Sequence, residues 1–177
     1  MHPAHDVSPG PNPPDRIHAY IEIPRGSRNK YELDKETGLL RLDRLLYSSV
    51  HYPGDYGFVP QTLADDGDPL DVLVLTTEPT FPGCLILVRP IGVFSMSDEK
   101  GRDEKVLCVP LADPHRRQVR GLNDLPPHLL DEIHHFFAVY KELEGISTTT
   151  EGWEDRVVAR ELIRRAMDEY SPPEDRD

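Results

Sequence analysis

Cysteine and long apolar runs are scarce in this sequence of 177 residues. Only Cys84 and Cys108 occur, each within an apolar, strand-like segment, so we expect buried free thiols and neither a disulfide framework nor a thiolate metal site. The N-terminal segment MHPAHDVSPGPNPPD lacks the apolar stretch of a signal peptide, and no run is long enough to span a membrane. These absences predict a soluble, cytoplasmic protein without a membrane partner.

Basic residues and aromatic rings are also few. Lys and Arg number 20 against 32 Asp and Glu, which gives a net charge of -12, and aromatic residues make up 7%. This balance disfavours a nucleic-acid partner, because a barrel that binds single strands needs a basic groove with exposed rings. It would also repel an anionic substrate unless cations stand between that substrate and the protein.

The chain length suits one compact domain. Residues 1–15 are rich in proline and poor in apolar residues, so we expect a disordered N-terminal extension. Residues 171–177, SPPEDRD, predict a disordered tail for the same reason. The single domain is expected to cover residues 16–170.

Strand patterns dominate the first part of the domain, from Arg16 to Pro110. Apolar and polar residues alternate in RIHAYIEIP, and the segments NKYELD and LLRLD flank a turn, which predicts a hairpin. Further strands are expected in DVLVLTT, CLILVRPIGVF and KVLCVP. Their spacing and turn residues indicate a small barrel.

The apolar period becomes helical after residue 124. The segment DLPPHLLDEIHHFFAVYKELEG predicts a helix, with proline at its start and Gly145 at its end. A second helix is expected from Asp155 to Tyr170. The predicted fold class is therefore α+β, mainly β, with helices packed outside a β-barrel.

The segment DGDPLD, residues 66–71, places three carboxylates within six residues. Carboxylate oxygens are the natural ligands of Mg²⁺ and Ca²⁺, although a solvated acidic loop is the alternative interpretation. Pro69 stiffens the loop, and Asp71 opens the apolar run VLVL, where an unpaired carboxylate would be costly. An EF-hand is excluded, because Leu70, Asp71 and Thr77 stand where it needs an oxygen ligand, glycine and glutamate.

Other charged and aromatic residues have ordinary explanations when each is taken singly. Asp98, Asp103 and Lys105 lie in or beside a charged turn, and the polar residues of the early strands suit an outward sheet face. Tyr140 lies on the apolar stripe of the first helix, where its hydroxyl needs a polar partner. The acidic set as a whole is rich in carboxylates and favours Mg²⁺ over zinc.

Eight motifs in their order resemble the soluble family I inorganic pyrophosphatases of bacterial type, over about residues 16–170. They are IEIP, NKYE, LDR, YPGDYGF, DGDPLDV, DE-x-G-x-D-x-K, HFF-x-x-YK and EGW. The resemblance implies an OB-like five-stranded closed β-barrel and hydrolysis of inorganic pyrophosphate to two orthophosphates. It also implies several Mg²⁺ ions per site, for which Mn²⁺ can substitute. The expected assembly is a homo-oligomer, and the resemblance favours a hexamer. Hydrolysis of other phosphoanhydrides or phosphoesters is the alternative.

The resemblance assigns acidic roles residue by residue. Asp68 resembles the base that takes a proton from the attacking water, a role that is sometimes given to Asp103. Asp71 is implied to bridge two ions, and Glu32 to reach the metals through water. The residues similar to the family's metal ligands are Glu22, Glu32, Asp66, Asp71, Asp98 and Asp103.

A second set resembles the phosphate-binding residues of the family, and it combines cations with tyrosines. Its members are Lys30, Arg44, Tyr56, Lys105, Tyr140 and Lys141.

The chain departs from the family pattern at two places. Bacterial relatives usually carry a GKWVKV-like stretch before EGW, whereas this chain has GISTTT, without the lysines or the tryptophan. That change bears on phosphate affinity and on the order of the loop after Lys141. Arg102 stands beside Asp103 where relatives tend to have a small or acidic residue, and we expect its side chain to point outward.

Overall fold

A computed structural model describes residues 1–173 of the chain as a mainly β fold with few helices. Two 3₁₀ turns cover Leu122–Asp124 and Glu142–Glu144. The helices are α1 Pro3–Asp6, α2 Pro127–Val139 and α3 Arg156–Asp168. The strands are β1 Ile17–Ile23, β2 Asn29–Leu33, β3 Leu40–Leu45, β4 Asp55–Phe58, β5 Asp71–Val74, β6 Leu85–Asp98, β7 Gly101–Pro110 and β8 Thr149–Asp155.

Five strands close into a ring, in the order β1-β4-β5-β7-β6, because β1 also pairs with β6. Four of these contacts are antiparallel, and the contact of β5 with β7 is parallel. Strand β8 lies outside the ring and pairs with residues 92–97 of β6. The ring and the helices around it confirm the predicted class, α+β and mainly β.

Strands β2 and β3 form a separate hairpin, as the sequence predicts. Its turn is stabilised by Asp34, whose Oδ1 accepts hydrogen bonds from the N–H groups of Glu36 and Thr37. The register sets Lys30 opposite Arg44. Two cations of the predicted phosphate-binding set are therefore neighbours in one hairpin.

Gly57 of β4 permits a close approach of two strands. A Cβ atom at this position would lie 1.8 Å from the carbonyl oxygen of Tyr20 on β1. Glycine therefore allows β4 to lie against β1 while its other edge pairs with β5, where Phe58 faces Asp71. The motif YPGDYGF thus contributes to the placement of Asp71.

Helix α2 covers one part of the core with the apolar stripe that the sequence predicts. Ile133, Phe136 and Phe137, together with Tyr140 just after the helix, pack in one cluster with Phe94 of β6. Asp155 caps α3 by accepting hydrogen bonds from backbone N–H groups of its first turn. The α3 residues buried against the other part of the ring are Ala159, Leu162, Ile163 and Ala166.

Helix α2 ends earlier than the sequence predicts. It stops at Val139, and the chain continues through the 3₁₀ turn Glu142–Glu144 to Gly145, which has a φ of 74°. Tyr140 is buried, and Lys141 leaves the helical conformation with its Nζ 3.3 Å from a carboxylate oxygen of Asp98. From just beyond the helix, the side chain of Lys141 thus reaches Asp98 of β6.

The N-terminal extension contacts the rest of the fold, and the disorder expected at both ends of the chain stays a prediction. The extension of residues 1–15 contains α1, in which Ala4 packs against Leu33 and Phe58 and its carbonyl oxygen accepts from the N–H of Gln61. Of the predicted tail, residues 174–177 lie outside the described residues.

Both cysteines are free thiols, as predicted, but only Cys108 is buried. Cys84 is partly exposed, because it follows the turn that precedes β6 and is not enclosed by the sheet. Within residues 1–173 we find no helix whose length and apolarity suffice to cross a membrane.

Candidate active site

The acidic loop before β5 is shaped by its own backbone. The N–H of Ala64 donates to the carbonyl oxygen of Asp68 over 2.8 Å, and Gly67 has a φ of 84° that favours glycine. The N–H of Asp68 donates to Oδ1 of Asp66 over 3.0 Å. Leu70 is fully buried and anchors the end of the loop. The loop therefore presents its carboxylates from a defined turn.

Lys105 lies at the centre of the site and is almost completely buried. Its Nζ lies 3.1 Å from Oδ2 of Asp71 and 3.0 Å from Oδ2 of Asp103, and it donates to the hydroxyl oxygen of Tyr56 over 2.7 Å. The hydroxyl of Tyr56 in turn donates to Asp71 over 2.8 Å. These four side chains form one connected polar network.

The sheet register explains why these residues meet. Strand β5 runs parallel to β7 with Asp71 opposite Lys105. Asp103 stands two residues before Lys105 on the same strand, and residues of that spacing share one face of a sheet. Arg102 is on the opposite face, where its Nε lies 3.2 Å from a carboxylate oxygen of Glu104, so it points away from Asp103 as expected.

Several carboxyl groups of the site hold their protons more tightly than usual. Burial raises the pKa of Asp66, and the charges of Asp68 and Asp103 raise it further. Burial also raises the pKa of Asp71, with a further rise from Asp103, although Lys105 opposes both effects. The pKa of Glu22 is raised to about 8, chiefly by burial. Burial therefore disfavours the ionised form of these carboxyl groups.

Two further acidic residues line the same cavity, Asp98 of β6 and Glu22 of β1. Asp98 accepts a hydrogen bond from Nζ of Lys141 over 3.3 Å and another from the N–H of Lys100 over 2.8 Å. Glu22 accepts from the N–H of Leu33 over 2.8 Å. Strands β1, β2 and β6 thus bring residues from distant parts of the chain to the same opening.

One cavity of about 890 Å³ gathers the predicted site residues. Of the thirteen residues that the resemblance assigns, only Arg44 is absent from the described residues that line it. Arg44 is connected to the lining residue Lys30 through Asp43, whose Oδ2 lies close to Nη1 of Arg44 and 3.3 Å from Nζ of Lys30. The twelve lining residues are Glu22, Lys30, Glu32, Tyr56, Asp66, Asp68, Asp71, Asp98, Asp103, Lys105, Tyr140 and Lys141.

The carboxylate oxygens of this cavity are ligands that suit hard divalent cations. The described side chains, however, are not arranged around a common metal position. Among residues 1–173, no three His, Cys, Asp or Glu side chains stand together in a way that could hold a metal ion. Lys105 lies between Asp71 and Asp103, and Lys141 neutralises Asp98. The raised pKa values of Asp66 and Asp71 nevertheless indicate carboxylates that a cation would stabilise.

Three residues near the site were missed by reasoning from the sequence. Lys35, on the hairpin turn, forms an ion pair with Asp68. Asp43 and Glu144 both pair with Arg44. The motif LDR contains both Asp43 and Arg44, so the contact between them could have been predicted from the sequence. No local pattern connects Lys35 or Glu144 to its partner.

Comparisons with known proteins agree with this geometry. The sequence profile described as inorganic pyrophosphatase matches residues 19–171. An inorganic pyrophosphatase of Methanosarcina mazei is 56% identical over 151 residues, which are 85% of this chain and 89% of that protein. One from Haloferax volcanii is 51% identical over 166 residues, 93% of this chain and 94% of that protein.

Solved structures give the same result for the fold. The crystal structure of inorganic pyrophosphatase from Thermus thermophilus superposes with a TM-score of 0.91 at 44% identity, covering 95% of this chain and 98% of that one. An inorganic pyrophosphatase structure from Coxiella burnetii gives 0.88 at 45% identity, covering 93% and 100%. The likeness therefore extends over the five-stranded ring and the cavity together.

Proposed function

The chain belongs to the inorganic pyrophosphatase family and hydrolyses pyrophosphate to orthophosphate, and we propose that it does so with several Mg²⁺ ions held in the acidic cavity. The observation that carries this proposal is the convergence of Asp66, Asp71 and Asp103 on one cavity, together with the raised pKa values of the first two. Mn²⁺ has the same preference for oxygen ligands and is proposed as a substitute.

Charge explains why cations are needed. Pyrophosphate is a small, highly charged anion, and the chain has a net charge of -12. An acidic cavity filled with divalent cations becomes electropositive and attracts the anion that it would otherwise repel. The cations of the protein alone do not achieve this, because Lys105 and Lys141 are already paired with carboxylates.

The proposed metal ligands divide into two groups. Asp66, Asp71 and Asp103 would hold the primary ions, with Asp71 shared between two of them. Glu22 and Asp98 would hold ions that arrive with the substrate, and Glu32 would act through water. Divalent cations bound there would lower the pKa of a water molecule and neutralise charge on the leaving phosphate.

Asp68 is proposed to orient the attacking water and accept its proton. Its side chain is 47% exposed, so it can face a water molecule in the cavity, and its ion pair with Lys35 restrains the carboxylate. Asp103 is the alternative acceptor, although its carboxylate is already bound to Lys105.

The phosphate-binding set is proposed to hold the two phosphoryl groups and to stabilise the negative charge of the transition state. Tyr56 and Tyr140 add neutral donors to this set. Its cationic members are Lys30, Arg44, Lys105 and Lys141.

We expect phosphate release from pyrophosphate to require Mg²⁺. The measurement follows phosphate from pyrophosphate, ATP and a simple phosphomonoester, each with Mg²⁺, with Mn²⁺ and with excess chelator. Rapid release from pyrophosphate alone, lost on chelation, is the expected result. Equal rates with ATP would favour a general phosphoanhydride hydrolase, and release that persists in chelator would contradict the metal-dependent mechanism.

We also propose a homohexamer in the cytoplasm. The hexamer rests on the resemblance to the bacterial enzymes, and the location is supported by two free thiols, which are typical of reducing compartments. Sedimentation should give the mass of six chains of 20.1 kDa each. The mass of a single chain would contradict the hexamer, and recovery of the protein outside the cytoplasmic fraction would contradict the location.

A further inference from the structure

Arg44 and Glu144 form an ion pair across 100 residues of sequence. Nε of Arg44 lies 2.6 Å from Oε1 of Glu144, and its Nη2 donates to Oε2 over 3.3 Å. The Glu144 side chain is only 10% exposed, and that of Arg44 is 24% exposed. The Nη2 contact is a hydrogen bond, whereas the Nε contact is an ion pair without hydrogen-bond geometry. Together the two contacts restrain the orientation of the guanidinium and balance its charge.

Asp43 holds the other side of the same guanidinium. Its Oδ2 lies 2.5 Å from Nη1 of Arg44 and 3.3 Å from Nζ of Lys30. Because a guanidinium carries five N–H groups, contacts with two carboxylates leave N–H groups on both Nη atoms for a phosphoryl oxygen. Arg44 is thus restrained on two sides without losing its ability to bind phosphate.

Glu144 also connects Arg44 with the segment that carries Lys141. It ends the 3₁₀ turn Glu142–Glu144, which directly follows Lys141 and is closed by a hydrogen bond from the N–H of Gly145 to the carbonyl oxygen of Glu142. Beyond this turn the chain enters GISTTT, which lacks the lysines expected from the family pattern. The ion pair between Glu144 and Arg44 therefore connects the start of this loop to strand β3.

We propose that Glu144 is a positioning residue for pyrophosphate hydrolysis, which fixes the guanidinium of Arg44 next to Lys30, its partner in the β2–β3 hairpin and a residue that lines the cavity. This inference rests on the phosphate-binding role proposed for Arg44. Glu144 does not touch the substrate; its charge opposes binding of the anion slightly, while its contacts keep Arg44 in one orientation. Loss of these contacts therefore lowers the rate of the chemical step more than it weakens substrate binding.

Glu144→Gln tests the inference, and Glu142→Gln on the same turn is the matched control, because Glu142 is exposed. At saturating Mg²⁺ we expect Glu144→Gln to lower kcat about tenfold while KM changes less than about threefold, as for a misplaced transition-state contact. Glu142→Gln should leave both constants within about twofold of the wild type. Equal kcat values for the two variants, or a higher kcat for Glu144→Gln, would overturn the inference.

A double-mutant cycle with Arg44→Lys separates positioning from a general structural effect. If Glu144 acts through Arg44, Glu144→Gln should change kcat little in the Arg44→Lys background. A tenfold loss in both backgrounds would contradict positioning. The failures are distinguishable: an inactive wild type rejects the proposed function, whereas an Arg44→Lys variant with normal kinetics rejects the role of Arg44, and with it this inference, but leaves the proposed function standing.

Discussion

Asp68→Asn is expected to lower kcat for pyrophosphate hydrolysis by about 10²- to 10⁴-fold, the usual contribution of a general base. The amide keeps the size of the side chain but cannot accept the proton of the attacking water, and it loses the ion pair with Lys35. The measurement is the initial rate of phosphate release at saturating Mg²⁺ and pyrophosphate.

Asp65→Asn supplies the control for this variant, because Asp65 lies on the same loop but is exposed. Its rate should stay within about twofold of the wild type, as is usual for an exposed surface substitution. A rate for Asp68→Asn equal to that of the control would refute the role given to Asp68. Asp103 would then be the remaining candidate for the proton acceptor.

Lys105→Met is expected to lower the free energy of unfolding by about 3–5 kcal/mol in the absence of divalent cations, the typical effect of breaking a buried ion pair. Burial lowers the pKa of Lys105, but the charges of Tyr56, Asp71 and Asp103 raise this pKa well above its ordinary value. The side chain of Lys105 therefore stays charged. Methionine fills a similar volume but leaves both carboxylates without their ammonium partner. Chemical denaturation in chelator measures the loss.

The same variant gives a result that depends on metal. Divalent cations at Asp71 and Asp103 would replace the missing positive charge, so Mg²⁺ should stabilise Lys105→Met more than it stabilises the wild type. Lys100→Met, at an exposed position on the same rim, should change stability by less than about 0.5 kcal/mol. A stability difference for Lys105→Met that is the same with and without Mg²⁺ would contradict cation binding at these carboxylates.

Local patterns predicted six of the eight strands within residues 1–173, the β2–β3 hairpin and the amphipathic stripes of α2 and α3, but they did not predict β4 or β8. They could not predict that β1 pairs with both β4 and β6, because ring closure joins segments far apart in the chain. The end of α2 was also not predicted, since the apolar pattern continues past Val139 to Leu143. Gly145 ends the 3₁₀ turn Glu142–Glu144 that follows α2, and it does not end α2 itself.

The candidate site was predictable wherever a motif held its residues together. DGDPLD gave Asp66, Asp68 and Asp71 at once, and strand parity put Asp103 beside Lys105. The contacts among the side chains of the site followed from no motif, since they depend on register and on side-chain rotamers. The pairing of Lys105 with both Asp71 and Asp103 is the main example.

The segment GISTTT shows how a departure from the family pattern can preserve the fold. Its last residues enter β8, where Thr149 and Thr150 pair with Ser97 and Met96 of β6. β-Branched threonines suit a strand, so the substitution keeps the sheet contact while removing lysines. Just before this segment, Glu144 pairs with Arg44 of β3.

Equilibrium binding of Mn²⁺ to the wild type and to Asp71→Asn tests the central claim most directly, because it counts the ions held by the acidic cavity. The free ion can be measured by electron paramagnetic resonance in the absence of substrate. We expect the wild type to bind more than one Mn²⁺ per chain and Asp71→Asn to lose the tight sites, since Asp71 is proposed to bridge two ions. Identical binding by the two proteins, or no tight binding by the wild type, would contradict the account.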